Sequence, residues 1–392
     1  MLYTIPDYYK QFHCLAGSCP ATCCAGWQIV IDRKALQRYA SLDGSFGNRV
    51  KNSVDWQEHT FLQYGKRCAF LNEDNLCDMH LEAGAEMMCA TCRKYPRHIE
   101  VFDNEREISL SMSCPAVAKL ILEKEEKVAF KTAQDDKCDP EDEAFDIFLY
   151  SVLQDTRSLL QSFLQNREES VFLRMQKVLA LAHDVQNRIN TRRIFEVETV
   201  LASYQKESVQ RRLEGKLRSA SGSRNVENIG LKADVANPIA LFDLLDEFEV
   251  LDPQWQRDVL DWRELLTDTQ ETEEGCRNIR TFFSEDIIAQ TEYEQMMVYY
   301  LYTYFCGAVY DGEALAKVKT AVFSTLIWAW SCCAKWLKQG NKIDGAERLE
   351  LAWRYSRELE HSDMNLNKID ELAESVPQFS VESLIGHLNT LM

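Results

Sequence analysis

The cysteine-rich part of this chain begins with CLAGSCPATCC at residues 14–24. It continues through Cys68 and Cys77 to CATCRKYPR at residues 89–97, and it ends with SCP at residues 113–115. Nine of the 14 cysteines in the sequence therefore lie in its first 114 residues. This asymmetry predicts that the N-terminal third forms a domain of its own, with a role for its thiols.

The clustered cysteines indicate a metal site. Cytosolic thiols stay reduced, so a cluster of them favours metal binding over disulfides. Thiolates are soft ligands for zinc, copper(I) and iron–sulfur clusters, and a CxxC pair such as Cys89 and Cys92 brings two sulfurs to one metal. The predicted metal ligands are Cys19, Cys23, Cys24, Cys68, Cys77, Cys89 and Cys92, with Cys14 and Cys114 as further candidates.

The spacing of the cysteines bears on which metal they hold. Structural zinc sites use paired CxxC units with regular spacing, whereas this spacing is irregular and includes the adjacent pair Cys23 and Cys24. A [4Fe–4S] cluster takes up to four thiolates, and with three of them one iron stays open to a substrate. We therefore expect an iron–sulfur cluster, with zinc as the alternative. The residues leave open two zinc sites, one cluster or two clusters.

Arginines flank the last CxxC pair. Arg93 and Arg97 follow Cys92 closely, and they are candidates for cofactor binding because a guanidinium balances an anionic cluster or holds a carboxylate. Ordinary surface charge is the alternative interpretation of both residues.

The pattern of residues predicts a mainly α fold in two parts. Residues 1–130 form a small, irregular, cysteine-rich metal-binding domain, in which we expect a brief strand at 28–31, a helix at 32–40 capped by Asp32 and a hairpin within 100–113. Residues 131–143 (KTAQDDKCDPEDE) are polar and acidic, which is typical of a linker.

Residues 144–392 form the second part, an acidic all-α domain. Apolar residues recur there at helical spacing, first in two helices joined near residues 166–169. We expect further helices at about 280–308, 313–338 and 344–361, and a last one that ends near Leu391. The polar stretch at residues 218–230 marks a possible subdivision.

Charge and hydropathy limit the partners. The net charge is −18, with 12 basic and 14 acidic residues in positions 1–118 against 32 and 48 in the remaining 274. An acidic body argues against nucleic acid and suits a lysine-bearing partner. The most apolar stretch, at residues 321–334, is shorter than the roughly 20 residues of a membrane span, so it predicts a core helix. The start, MLYTIPDYYK, does not resemble a secretory signal, and we expect a cytoplasmic protein.

Common catalytic motifs are missing from the sequence. It contains no GxGxxG, P-loop, HExxH or GxSxG motif, and it also lacks a contiguous CxxxCxxC loop. The residues by themselves therefore lead to a metal–thiolate domain joined to an acidic helical domain.

Several of these motifs resemble those of a known family. The stretches PDYY at residues 6–9, FHC at 12–14 and CPATCCAGWQI at 19–29 look like the start of the flagellin lysine-N-methylases of the FliB type. CATCRKYPR at 89–97 and SCP at 113–115 fit the same family. The N-terminal part also resembles a broader family of small zinc- or iron-chelating cysteine-cluster proteins.

The resemblance implies an activity. It implies a methyltransferase that modifies the ε-amino groups of surface lysines on flagellin, with S-adenosylmethionine as methyl donor and a [4Fe–4S] cluster as cofactor. Lysine methylation needs a neutral amine, so Tyr95, close in sequence to the cluster, is a candidate for helping to deprotonate it. A packing role is the alternative for this side chain.

Two other functions compete with the enzyme. One is a metal-stabilised adaptor or metal chaperone built on the same cysteine domain, and the other is a redox sensor whose cluster controls the helical domain. An adaptor needs thiolates that close around the metal, whereas an enzyme needs an open position beside a pocket.

Overall fold

The computed structural model describes residues 1–136, 146–222, 238–285 and 287–392, and for residues 218–222 it describes the backbone alone. The strands are β1 Leu2–Pro6, β2 Val54–Asp55, β3 Thr60–Phe61, β4 Gln63–Tyr64, β5 Arg67–Cys68, β6 Arg97–Phe102, β7 Glu105–Leu110 and β8 Phe130–Gln134. Helices of the first part are α1 Arg33–Ala40, α2 Gly44–Asn52, α3 Asp78–Ala83, α4 Ala90–Lys94 and α5 Pro115–Leu122.

Helices make up most of the rest of the described chain, which confirms the mainly α fold. They are α6 Ile147–Leu164, α7 Val171–Asn190, α8 Val197–Tyr204, α9 Glu207–Gly222, α10 Ile239–Phe242, α11 Pro253–Gln270, α12 Glu273–Ser284, α13 Gln290–Tyr304, α14 Ala308–Asp311, α15 Ala314–Lys338, α16 Gly345–Glu360, α17 Asp363–Ser375 and α18 Val381–Thr390. We call α6 to α18 the helical body.

A mixed sheet joins the two ends of the N-terminal part. Its strand order is β6-β7-β1-β8 within the described residues, with β1 parallel to β7 and antiparallel to β8. The hairpin expected within residues 100–113 is confirmed as β6 and β7, whose turn lies at residues 103–104. Asp103 has a φ of +50° there, a conformation that Asp tolerates better than most residues do.

Two local expectations are corrected in this part. Residues 131–134 belong to β8 rather than to a linker, because Lys131 to Gln134 pair with the free edge of β1. The rest of that predicted linker, at residues 137–143, lies outside the described residues, and the domain division itself stays a prediction. Residues 28–31 form no strand: within them only Val30 makes an isolated bridge, to Thr60.

The two apolar cores divide the molecule at a different place from the predicted linker. Residues 24–92, which we call the cysteine module, surround a small core that includes Ile29, Tyr39 and Phe70. The sheet and α5 pack instead into the large core of the helical body, to which Phe102, Leu110 and others contribute. The sheet is therefore continuous with the body, whereas the module has a core of its own.

Polar caps set the starts of the body helices. Asp146 begins α6, and Ser170 begins α7, each with a side-chain oxygen that accepts backbone N–H groups of the first turn. Asp344 and Glu347 form a reciprocal capping box at the start of α16. The pair of helices expected to join near residues 166–169 is confirmed, since α6 and α7 meet at that break. The possible subdivision at 218–230 lies mostly outside the described residues.

The helix expected at residues 280–308 is wrong in its extent. It is interrupted between α12, which ends at Ser284, and α13, which begins at Gln290. The two helices also differ in burial: α12 buries one face, whereas α13 is buried nearly all around and runs through the core. The apolar stretch at 321–334 is a core helix, as predicted: it lies in α15, where Trp328, Trp330, Cys332 and Cys333 are fully buried. Among the described residues, no helix combines the length and the apolar character needed to cross a bilayer.

Buried ion pairs tie the parts of the body together. Glu294 of α13 is fully buried and pairs with Arg174 at 2.7 Å and with Arg167 at 2.9 Å. Arg157 of α6 makes two hydrogen bonds with Glu107 of β7, which fixes the sheet against the helices. Each carboxylate accepts hydrogen bonds from a guanidinium, so the pairs are specific anchors between neighbouring elements.

Candidate functional site

Thiols surround the core of the cysteine module. Within the described residues they form what we call the inner thiol group: Cys24, Cys68, Cys77, Cys89 and Cys92. Cys68 and Cys89 are buried in that core, and the other three pack against it. The backbone joins their separate stretches, since the Cys68 N–H donates to the Cys24 carbonyl at 2.9 Å and Leu71 bridges to Cys77. Cysteines distant in the sequence thus converge on one side of the molecule.

Asp32 holds the CxxC turn in place. One carboxylate oxygen accepts the Ala35 N–H at 3.0 Å and caps α1, as the sequence predicted, while the other accepts the Ala90 N–H at 2.6 Å. Burial works against the charge of Asp32, but these backbone bonds outweigh it and lower the pKa of the carboxyl. Thr91 adds a hydrogen bond to the Val30 carbonyl at 2.7 Å. The turn that carries Cys89 and Cys92 is therefore fixed to α1.

The remaining N-terminal cysteines form an outer thiol group: Cys14, Cys19, Cys23 and Cys114. Cys14 and Cys114 lie within electrostatic range of Cys23, and Cys14 and Cys19 lie within that range of Cys114. Cys114 comes from the turn between β7 and α5, so the sheet supplies one member of this group. The adjacent Cys23 and Cys24 connect the outer and the inner groups.

Two pairs of thiols are joined by hydrogen bonds. The Cys23 thiol hydrogen-bonds to Cys24, which lowers the pKa of Cys24 to about 7 and raises that of Cys23. In the same way a hydrogen bond from Cys92 lowers the pKa of Cys89 to about 7, while the pKa of Cys92 rises. One thiolate of each pair is thus accessible near neutral pH, and thiolates are the metal-binding form.

These donors suit a soft metal in their chemistry, but the side chains are not arranged around a single point. In the described ranges, no three His, Cys, Asp or Glu side chains lie close enough together to hold a metal ion. The cysteines are free thiols, and they meet in pairs rather than in threes or fours. This arrangement of thiols therefore assigns no catalytic step to a metal.

A cleft of about 390 Å³ separates the cysteine-rich part from the helical body. Its N-terminal wall comes from residues 19–22, 25, 26 and 65–67 together with Asn75, and it includes Cys19 of the outer thiol group. The opposite wall is one face of α16 and the residue after it: Trp353, Arg354, Arg357, Glu358 and His361. This spacing of one, four, five and eight residues places the five side chains along the same helical face.

Charges of both signs line this cleft. Glu358 is buried and accepts the backbone N–H groups of Leu251 and Asp252, at 2.9 and 2.7 Å. Burial raises the pKa of Glu358 to about 7, and these backbone bonds only partly oppose the shift. Arg354 pairs with Asp258 at 2.7 Å, and the Lys66 ammonium donates to the Leu251 carbonyl at 2.6 Å. The cleft therefore offers partners for both an ammonium and a carboxylate.

His361 ends the α16 wall, against the cysteine-rich part. Its ring stacks on the Trp27 ring with centroids 4.5 Å apart, and the Trp27 indole donates to the Cys23 carbonyl at 2.8 Å. Burial lowers the pKa of His361 to about 3, and the nearby Arg357 adds to the shift, so the imidazole is neutral at physiological pH. Arg357 also donates to the Ser113 carbonyl at 3.0 Å and to the Ala21 carbonyl. These hydrogen bonds join the two walls of the cleft.

The candidates chosen from the sequence occupy different places. Tyr95 is largely buried beside the cleft, where its hydroxyl bonds the Ser113 hydroxyl at 3.1 Å, and its pKa is raised by burial. Arg97 donates to the Tyr9 hydroxyl at 3.0 Å, and Arg93 is exposed near Asp32. Neither arginine lines the cleft. The roles predicted for these three residues stay predictions.

The sequence reasoning missed the α16 wall. Trp353, Arg357, Glu358 and His361 lie more than 200 residues from the cysteines, and they carry no known short motif. Their helical spacing was the one available signal, but a polar helix face usually faces solvent. Only the tertiary structure shows that this face lies across the cleft from Cys19.

Comparison with known proteins identifies the region that forms this wall. Residues 157–386 match the family model described as the FliB lysine N-methylase C-terminal domain. The chain is also 32% identical over 128 residues to the flagellar biosynthetic protein FliU of Salmonella muenchen, which covers 30% of this chain and 76% of that protein. No solved structure matches the chain.

Two further relatives carry an enzyme's name. The chain is 32% identical over 128 residues to the lysine-N-methylases of Salmonella typhimurium and Salmonella choleraesuis. The aligned part spans 32% of each of those proteins, about a third of their length. The family model covers more than half of the chain, and it includes the whole of the α16 wall. The chain therefore belongs to the FliB lysine N-methylase family.

Proposed function

We propose that this protein is a protein-lysine N-methyltransferase that modifies surface lysines of flagellin in the cytoplasm. S-adenosylmethionine is the proposed methyl donor, and an iron–sulfur cluster, a [4Fe–4S] cluster, is the proposed cofactor. One observation carries the proposal: a cleft in which a wall from the FliB-matched helices faces an N-terminal wall that includes Cys19 of the outer thiol group. The relatives named for lysine methylation and for flagellar biosynthesis support the substrate.

The cleft suits a lysine side chain. Glu358 and Asp252 lie on one side and attract an ammonium group, while the Trp353 indole offers an apolar face to the methylene stem. The helical body contributes most of the net charge of −18, which favours the approach of a lysine-bearing protein. The substrate amine must lose a proton before it attacks a methyl group, so a base is needed in the same cleft.

The other components also find suitable groups. Up to four thiols of the inner and outer groups would hold the iron–sulfur cluster once they are drawn together from the pairs in which they meet. The cluster would supply an iron centre for donor binding or electron transfer when bound. Arg67 and Lys66 line the cleft and would attract the carboxylate of the donor. The protein's own residues supply binding, charge neutralisation and exclusion of water, which together set the geometry of the transfer.

Anaerobic purification followed by a methyl-transfer assay tests the proposal. Iron, sulfide and zinc content are measured first, together with the visible absorption spectrum. The purified protein is then incubated with flagellin and S-adenosylmethionine, and intact flagellin is analysed by mass spectrometry. The proposal predicts iron with sulfide, a broad absorption band and methylated lysines that depend on the donor.

Variants link the assay to the cleft. Trp353→Ala removes the apolar face, and we expect it to weaken flagellin turnover at least tenfold with the metal content unchanged. Trp56→Ala is the matched control, because this indole is partly exposed and lies away from the cleft. Stoichiometric zinc with a colourless, inactive protein would instead favour a metal-stabilised adaptor.

A further inference from the structure

A chain of hydrogen bonds leads from the cleft into the interior of the molecule. The His361 Nε2 lies 2.9 Å from the Ser113 hydroxyl, and the Ser113 and Ser111 hydroxyls are 2.5 Å apart. The Ser111 hydroxyl donates to a carboxylate oxygen of Glu360. His361 lines the cleft, whereas Glu360 does not. Three side chains, those of His361, Ser113 and Ser111, thus connect the cleft to the Glu360 carboxylate behind it.

Donors and acceptors in this chain run in one direction. When the proton of the neutral imidazole is on Nε2, that group donates to Ser113, Ser113 donates to Ser111 and Ser111 donates to Glu360. The other imidazole nitrogen, Nδ1, is then left as an acceptor. This order of donors is the one that a stepwise proton transfer needs. The Ser113 hydroxyl also lies 3.1 Å from the Tyr95 hydroxyl, and the Ser111 hydroxyl also accepts the Ser113 N–H at 3.3 Å.

Surrounding elements fix the chain. The His361 ring is held between Trp27, at 4.5 Å, and Tyr95, at 5.7 Å. At the far end the Tyr299 hydroxyl donates to the second oxygen of Glu360 at 2.7 Å and also accepts the Met112 N–H at 3.1 Å. Tyr95 thus contacts the His361 end of the chain, and Tyr299 contacts the Glu360 end. Because both ends are held in place, a proton can move along the chain without rearrangement of these side chains.

Burial shifts the pKa values at the two ends of the chain in opposite directions. Burial raises the pKa of Glu360, although bonds from Ser111 and Tyr299 partly oppose this, while burial and Arg357 lower that of His361. The titratable and charged groups that face the two residues from the packed elements are Tyr95, His98, Tyr299, Tyr300, Tyr304, Tyr355 and Arg357. The pKa values of the tyrosines are raised, so they stay neutral.

We propose that His361 is the catalytic base for the substrate lysine, and that Ser113, Ser111 and Glu360 carry the proton away from the cleft. This inference rests on the proposed function. The ε-ammonium gives one proton to His361 Nδ1 while Nε2 passes its own proton to Ser113, which passes one to Ser111, which passes one to Glu360. The net change is a neutral amine in the cleft and a protonated Glu360. Nothing is oxidised or reduced.

The pH dependence of methyl transfer tests the path. At pH 7 we expect His361→Gln and Glu360→Gln to lower kcat about 100-fold, the order of general base catalysis, with little change in KM for flagellin. A free lysine amine has a pKa of about 10.4, so the loss should shrink as the pH rises and the substrate deprotonates itself. Glu371→Gln, an exposed carboxylate on α17, is the control and should match the unaltered protein. A loss that is the same at every pH would overturn the path.

Infrared titration tests the same path without any activity. In the unaltered protein we expect a protonated-carboxyl band that titrates above the ordinary range of glutamate, vanishes in Glu360→Gln and shifts in Ser113→Ala. If Glu360 stays ionised throughout that range, the proposal is wrong even where methyl transfer is active. If flagellin is not methylated at all while the band behaves as expected, the proposed function fails and the proton path to the cleft remains supported.

Discussion

The cysteine module and the helical body obtain their structure in different ways. The body has a large, continuous apolar core that runs through α7, α13 and α15 and takes in the sheet. The module, over residues 24–92, has a core of 12 buried residues within the described chain. Side-chain hydrogen bonds, such as those of Asp32, hold its turns in place. A segment of this size rarely stabilises itself by apolar burial alone.

This difference assigns separate tasks to the two regions. The body presents the α16 wall, and its buried ion pairs join α13 to α7 and α6 to β7. Under the proposed function the thiols of the module bind metal. The stability of the module would then depend on that metal, because metal binding and folding are coupled where a core is small. The candidate site lies at the boundary, so it depends on both regions at once.

Removal of metal should produce the largest contrast. We expect a chelator, or the Cys68→Ser variant, to unfold the module while the body stays folded, since thiolate–metal binding contributes on the order of 10 kcal/mol in small metal domains. Hydrogen exchange measured by mass spectrometry would show lost protection at residues 24–92 alone. Cys276→Ser alters a buried cysteine of α12 and is the control, because it should leave the module protected. Equal protection of the module with and without metal would contradict the contrast.

Breaking the buried ion pair should destabilise the body next most strongly. Glu294→Ala leaves the Arg174 guanidinium buried without its partner, which we expect to cost about 3–5 kcal/mol in the free energy of unfolding. Chemical denaturation followed by circular dichroism measures this change. Glu207→Ala removes an exposed partner of Arg211 and should change stability by less than about 0.5 kcal/mol. A small effect of Glu294→Ala would mean that the pair is dispensable.

Acid should weaken the boundary through His361. The pKa of His361 is lowered to about 3 in the folded protein, chiefly by burial, against about 6.5 in an unfolded chain. The contribution of the buried, neutral His361 to the free energy of unfolding is therefore complete above pH 6.5, and it is lost as the pH falls toward 3. By pH 4 this difference amounts to roughly 3 kcal/mol. We expect the stability of His361→Gln to fall less steeply with acid, as measured by denaturation at several pH values. Parallel pH profiles would exclude His361 as the cause.

Removal of one helix cap should give the smallest effect, and a local one. Asp32→Ala loses the bonds to Ala35 and Ala90, and we expect a cost of about 1–2 kcal/mol that is confined to the module. Asp344→Ala removes the α16 cap and should cost a similar amount, but spread over the body. Hydrogen exchange separates the two patterns. Global destabilisation by Asp32→Ala would show that the module does not unfold on its own.

The same contrast explains what the sequence could predict. Helical periodicity identified the pairs and the core helix of the body, because each apolar stripe is local in the sequence. Asp32 was recognised as a cap and the hairpin was placed, since both follow from neighbouring residues. Residues 131–134 were assigned to a linker, because the exposed face of an edge strand is as polar as a loop.

The cleft could not be predicted in the same way. Cysteine clustering marked one wall, but the other wall lies on α16, and its polar face resembles any exposed helix face until the fold places it opposite Cys19. The link from His361 through Ser113 to Glu360 joins residues nearly 250 positions apart. Contacts at such separation follow from tertiary packing, and a single sequence does not reveal them.

Methyl transfer to flagellin is tested most directly by mass spectrometry of flagellin after incubation with the anaerobically purified protein and S-adenosylmethionine. We predict donor-dependent methyl groups on surface lysines, retained in Trp56→Ala and strongly reduced in Trp353→Ala and in His361→Gln at pH 7. Flagellin that stays unmodified by a folded, iron-loaded protein would contradict the claim that the cleft transfers methyl groups to flagellin lysines.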